Sequence, residues 1–261
     1  MRRPFRYAAL DALPSLGLGI LLLLLWEAAL RIFQVSAFVV PLPSAIAESL
    51  VANAPVLATA TLVTAKEVLV GFVLATLSGA LLALLIVRFR LLGRALYPII
   101  VLFQTVPKVA LAPIFILWFG YDLAPKVVLI VVIAFFPVTL DMLAGLQSVE
   151  PGLIALMRSV GARDNDILLR VRIPNALPHL MAGMKIAITL SVIGAIVGEF
   201  AGASEGLGYT IQFASTQLDT PLVFAALIVV SVVGVLFYYA IEILERAITP
   251  WSPKFDPAHQ H

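Results

Sequence analysis

An all-α integral membrane protein with six transmembrane helices is the fold class this sequence predicts, on three observations. Of 261 residues, 62% are apolar and only 12% charged, with a mean hydropathy of +1.07, well outside the range of soluble globular domains. Apolar runs long enough to cross a bilayer core of about 30 Å, which takes roughly 20 helical residues, recur along the whole chain. Arginine and lysine collect in alternate gaps between these runs, as they do in short cytoplasmic loops. Cysteine is absent, which removes disulfides, thiolate chemistry and cysteine-ligated metal. A formal charge of +2 is too small to suggest a nucleic-acid partner.

The elements follow in order within one transmembrane domain covering 1–261. The first run, 16–33, follows Met-Arg-Arg-Pro-Phe-Arg as the apolar core of a signal peptide would. Glu27 and Arg31 lie behind its Leu-rich stretch and more membrane follows, so it reads as a retained helix. Pro41-Leu-Pro-Ser44 and then 45–57 read as a loop restarting as a short helix at the outer surface, Pro and Ser being good helix-start residues. Further crossings are expected over 62–87, 95–119 and 127–146, with a cytoplasmic loop over 147–178. The fifth crossing is 177–201. The glycine-rich stretch 203–209 and the segment 211–218 are too short to cross and read as a loop dipping toward a cavity, where protein or water satisfies irregular backbone. The last crossing is 222–243. The basic residues that orient the chain are Arg2, Arg3 and Arg6, then Arg88, Arg90 and Arg94, then Arg158, Arg163, Arg170 and Arg172, and finally Arg246 and Lys254. Their alternation predicts an even number of crossings with both termini cytoplasmic.

The loop over 147–178 is far longer than neighbouring helices need, and long ordered loops are usually functional. Pro151 suits a first helical position, with Glu150 at the positive end of the helix dipole. Leu153, Leu156, Met157 and Val160 fall at i, i+3, i+4 and i+7 and make one apolar stripe, with Arg158 off it. Gly161 ends that helix, Asp164 to Asp166 cap a second short one, and Pro174 closes it before Pro178 opens the next crossing. The stripe fits a helix resting on the membrane surface and equally one docked into a partner protein.

Gly161, nine residues, Val171, one residue, Ile173 and Pro174 resemble the second half of the EAA motif of ATP-binding-cassette (ABC) importer permeases. The stretch from Gln104 to Gly120, QTVPKVALAPIFILWFG, and Gly206-Leu-Gly-Tyr209 resemble signatures of the nitrate/sulfonate/taurine group of that family. The resemblance runs from about Leu42 to Trp251. It departs from the pattern where Ala155, Leu156 and Met157 replace Glu-Ala-Ala, which removes a motif glutamate and keeps an apolar knob. The resemblance implies a type I importer (MetI-like) fold in a bacterial inner membrane, with two permease copies, taken as a homodimer, forming the pathway. It implies a cytoplasmic ATPase dimer that binds ATP and Mg, and a periplasmic or lipid-anchored binding protein that delivers a small solute, sulfonate-, taurine- or nitrate-like, or pyrimidine- or flavin-like. Leu153, Leu156, Met157, Val160, Gly161, Val171, Ile173 and Pro174 then form the ATPase-coupling region. The sequence agrees on one point: it contains no G-x-x-x-x-G-K-[ST] phosphate loop, so no ATP cradle of that kind lies on this chain and energy arrives through a partner.

Ionisable residues inside a crossing cost about 2.5 to 3.5 kcal/mol each at mid-depth and normally face the bundle interior or an aqueous cavity. Lys108, beside Gln104 and Thr105, is expected either to line the pathway for an anionic substrate or to be satisfied by carbonyls freed at Pro107 and Pro113. Glu199, near the outer end of the fifth crossing, is expected in the pathway or in an interhelical bond. Asp141 and Lys185 lie about 9 and about 12 Å from the cytoplasmic ends of their helices, and this matched depth predicts an ion pair. Lys66 snorkels, Glu242 and Arg246 pair at i, i+4, and His179 caps or packs. No constellation of nucleophile, base or metal ligands is present, so no enzymatic chemistry is expected. The rival reading is an ion-coupled secondary transporter, which calls for internal inverted repeats.

Overall fold

The computed structural model describes residues 5–36 and 38–251. Arg2, Arg3 and Lys254, used above to orient the chain, lie outside the described residues. The described chain is helical throughout. Helix α1 spans Phe5–Ile32, α2 Pro43–Ala52, α3 Ala54–Arg88 and α4 Arg90–Thr105. A 3₁₀ turn, Lys108–Leu111, leads into α5 (Ala112–Phe119), followed by α6 (Leu123–Gln147) and α7 (Pro151–Ser159). Then come α8 (Asp164–Ile167), a π turn (Leu168–Arg172), α9 (Ile173–Gly202), α10 (Leu207–Thr216) and α11 (Thr220–Ile248). Among the described residues, four helices are long and apolar enough to cross a membrane: α3, α6, the run Asp164–Gly202 and α11. The bent pair α4 and 3₁₀–α5 makes a fifth if counted as one span.

Three expectations are corrected. The third crossing is not one helix over 95–119, because the chain bends by 85° between Thr105 and Lys108. Pro107 has no N–H to donate, and its ring drives Val106 out of the helical region to φ −70°, ψ 130°. The short helix expected at the outer surface ends at Ala52 and α3 begins at Ala54, eight residues before the expected start at 62. Asn53 alone makes the joint, at φ −99°, ψ 13°, with Pro55 in the first turn of α3. Finally, Pro174 does not close a helix before Pro178. The π turn Leu168–Arg172 runs directly into α9, its wider loop taking the carbonyls off the proline ring, and Pro178 is inside α9.

Helix α6 is the centre of the bundle, packed between α3 and α9. Between lipid-immersed helices close van der Waals approach replaces hydrophobic drive, so small residues mark the contacts. A Cβ placed on Gly145 of α6 would lie 2.8 Å from the Cα of Ala176, and one on Gly183 of α9 would lie 2.9 Å from the Pro137 carbonyl oxygen. Val68, Phe72, Ile130, Val138, Ile188 and Val192 fill the middle of this triple contact. Toward the end that carries α7 Ile86, Ile100, Leu143, Leu146 and Ala176 continue it. At the opposite end Ile46, Leu57, Leu207, Ile211, Ala225 and Ala226 join α2, α3, α10 and α11 into a separate cluster. Helix α1 is tied on by Glu27, whose carboxylate accepts from the Ser44 amide (3.1 Å) and hydroxyl (2.9 Å) at the start of α2.

Candidate functional site

Helix α7 is left uncovered by the rest of the chain. Pro151 sits in its first turn, where a missing N–H costs nothing. Its end is a Schellman motif: Gly161 N–H donates to the Arg158 carbonyl (3.0 Å) and Ala162 N–H to the Met157 carbonyl (3.0 Å). Gly161 lies at φ +84°, a conformation that disfavours any side chain. None of its residues is buried, and the apolar stripe is open, with Leu153 42%, Leu156 60% and Val160 74% exposed; Met157 is half-buried. Nine residues are too few to hold a helix in water unaided, and the Schellman turn at its C-terminus is the cap this one has.

The second half of the motif ties together the two segments that flank α7. Ile173 packs against the cluster containing Leu143, Leu146 and Ala176. Arg172 Nη1 donates to the Leu146 carbonyl at 3.3 Å, and Asn175 Nδ2 donates to the Gly145 carbonyl at 2.9 Å and to Ser148 Oγ at 2.8 Å. The final carbonyls of α6, which no intrahelical partner satisfies, are thus bonded to the head of α9. Val171 and Pro174 are half-buried beside these contacts. Sequence reasoning used Arg172 only to orient the chain and did not single out Asn175, although the place of Arg172 inside the motif and of Asn175 one residue past it was a usable signal.

The residues expected to line a pathway separate into two places. Gln104 and Thr105 are exposed on the last turn of α4. Past the Pro107 break, Lys108 Nζ lies 3.5 Å from the Gln104 carbonyl and 4.7 Å from the Phe136 ring centroid. Glu199 is elsewhere and has no exposed surface. Its Oε1 accepts from Thr64 Oγ1 at 2.6 Å, and its Oε2 accepts from the amides of Gly208 and Tyr209 at the start of α10. Thr64 Oγ1 in turn accepts from Leu207 N–H at 2.9 Å. Gly206 at φ +109° admits this approach, since a Cβ there would strike the Glu199 carboxylate.

Beside Glu199 lies a pair that sequence reasoning missed: Lys126 Nζ meets Glu67 Oε1 at 2.5 Å, both side chains nearly inaccessible. Glu67 falls within the expected crossing 62–87 and was detectable as a charge there. Lys126 sits one residue before the expected crossing 127–146 and so read as a loop residue. The expected Asp141–Lys185 pair does not form. Lys185 instead reaches Glu245 of α11 at 2.5 Å, while Asp141 faces Gly183. Matched depth fixed their height and not their direction around the helix axes. The pair Glu242–Arg246 is present.

A family model described as "Binding-protein-dependent transport system inner membrane component" matches residues 71–250. The formylaminopyrimidine transport permease protein ThiX of Halalkalibacterium halodurans is 42% identical over 71% of this chain and 74% of its own length. The taurine transport system permease protein TauC of Escherichia coli is 34% identical over 59% of this chain and 56% of its own. Among solved structures, an inward-facing MetNI methionine ABC transporter superposes with a TM-score of 0.65 at 21% identity, covering 74% of this chain and 96% of that one.

Proposed function

This chain belongs to the family of binding-protein-dependent transport system inner membrane components, and from that premise we propose that two copies of it form a solute pathway worked by a cytoplasmic ATPase through α7. It is the permease subunit of an ABC importer, not an enzyme, and ATP hydrolysis belongs to a separate subunit. The observation that carries the coupling assignment is the uncovered stripe Leu153, Leu156 and Val160 on a helix whose flanking segments are bonded to each other where α6 ends and α9 begins. An apolar helix face left without a partner suits a protein groove. ATP and Mg are held by that partner, and Gln104, Thr105 and Lys108 line the pathway between the two copies. The motif glutamate being absent, α7 engages its groove by apolar contact, with Arg158 at the edge.

The substrate class we favour is a small nitrogen heterocycle of the pyrimidine kind, supported by the higher identity and longer coverage of the formylaminopyrimidine relative over the taurine one. A binding protein delivers it from outside, and both termini of the permease lie in the cytoplasm. The test is purification of the chain with its ATPase and binding protein, followed by uptake of formylaminopyrimidine and of taurine into liposomes. ATP-driven uptake of the pyrimidine supports the reading. Uptake of taurine instead reverses the substrate assignment, and uptake by the chain alone under an ion gradient overturns the importer assignment.

A further inference from the structure

Four arginines lie close to one another, and two of them, Arg88 and Arg94, remain unused by the coupling reading. A cleft of about 610 Å³ opens between the end of α3, the first turns of α4, the end of α6 and the π turn, with Arg94, Gln147 and Arg172 on its walls. A second cleft of about 390 Å³ lies against it, walled by Arg88, Arg158, Asp164 and again Arg172. The two share Val87 and Arg172 and act as one basic recess. Among the described residues Asp164 is the only carboxylate on its walls, and Arg158 already holds it at 3.4 Å. No carboxylate among the described residues lies within ion-pair distance of Arg88, Arg94 or Arg172. The positive end of α4 opens into the same recess, with Gly93 of its first turn on the wall.

We infer that this recess binds the phosphate of an anionic lipid headgroup. Guanidinium groups match phosphate oxygens in fork geometry, and basic recesses between helices on the cytoplasmic side suit anionic headgroups. A lipid is favoured over a free phosphate by what flanks the arginines. Phe89 and Leu169, next in sequence to the wall residues Arg88 and Leu168, are 52% and 63% exposed, and Leu91, two residues before Gly93, is 83% exposed, which offers acyl chains an apolar bed beside the charge. The recess also joins α3, α4, α7–α8 and the head of α9, so an occupant braces the coupling region against the bundle. The inference rests on the permease reading only for which leaflet supplies the lipid, because the binding measurement needs neither transport nor ATPase.

The experiment is native mass spectrometry of the detergent-purified chain titrated with phosphatidylglycerol, with phosphatidylcholine, and with inorganic phosphate as competitor. Wild type should bind phosphatidylglycerol saturably in preference to phosphatidylcholine. Arg88→Gln/Arg94→Gln should weaken that binding roughly tenfold or more, at about a factor of five per arginine, and should leave the melting temperature in detergent unchanged. Millimolar phosphate that fails to displace the lipid identifies the headgroup as the ligand. Phosphate that displaces it and itself binds wild type but not the variant identifies a free anion and overturns the lipid assignment. Equal retention by variant and wild type overturns the site. So does weakened ATPase association in the variant with lipid binding intact, since the arginines then serve the partner.

Discussion

Lys126 and Glu67, 2.5 Å apart and shielded from solvent, stand beside a second buried carboxylate, Glu199, that is bonded to Thr64 and to the first amides of α10. One ammonium and the positive end of a helix are the groups that compensate two carboxyl groups there. Lys126→Met should therefore be costly, about 3–5 kcal/mol, because it strands a buried charge. Adding Glu67→Gln should recover part of that loss, which thermal unfolding in detergent would read. Thr64→Val keeps the shape but leaves both Glu199 Oε1 and the Leu207 amide short of a partner, for about 1–3 kcal/mol each. A Lys126→Met variant as stable as wild type would remove the network from the account. Lys185 and Glu245 form the other test at this scale: a double-mutant cycle should show coupling of about 0.5–1 kcal/mol, whereas Lys185 and Asp141 should be additive. The sequence allowed the depth of Glu199, Asp141 and Lys185 to be counted from helix ends. It did not reveal their partners, because rotation about each helix axis is set by packing such as Gly183 against Pro137, which is a relation between distant segments.

At the scale of elements, two short helices stand in contrast. Helix α10 has a buried floor, with Leu207, Thr210, Ile211 and Ala214 inside the fold, and a filled N-terminus. Helix α7 has neither. Gly206→Ala should strain a backbone at φ +109° and push on the Glu199 carboxylate, for about 1–3 kcal/mol. The loss should appear as faster amide exchange across α10, with α7 unaffected; unchanged exchange would show that the Glu199 contact does not fix the helix. The apolar runs and basic gaps made the long helices legible, and i, i+3, i+4 spacing with Pro151 and Gly161 marked α7 almost to the residue. The bend at Pro107 and the π turn before Pro174 were not legible as such. A proline signals that something must give, while surrounding contacts decide whether the chain bends by 85° or widens one turn.

At the scale of the molecule, an uncovered α7 and exposed polar residues at Gln104 and Thr105 fit a subunit completed by others. A second copy facing the first would bring two α7 helices to the same side of the membrane, one for each half of an ATPase dimer. A cysteine placed at Thr105 should cross-link between two copies of this chain, and capture of a single copy with a different permease would contradict the homodimer. The composition and the EAA-like spacing made the family legible from sequence. The inner scaffolding of Glu67, Lys126 and Glu199 was not, since it involves helices far apart in the chain. The central claim, that a partner ATPase acts through α7, is tested most directly by ATP hydrolysis in the reconstituted complex carrying Met157→Asp. A carboxylate pressed without a partner against an apolar groove costs several kcal/mol and leaves the membrane helices intact. The account predicts wild-type levels of inserted permease, weak ATPase association and loss of binding-protein-stimulated hydrolysis. Normal association and normal stimulated hydrolysis in Met157→Asp would contradict it.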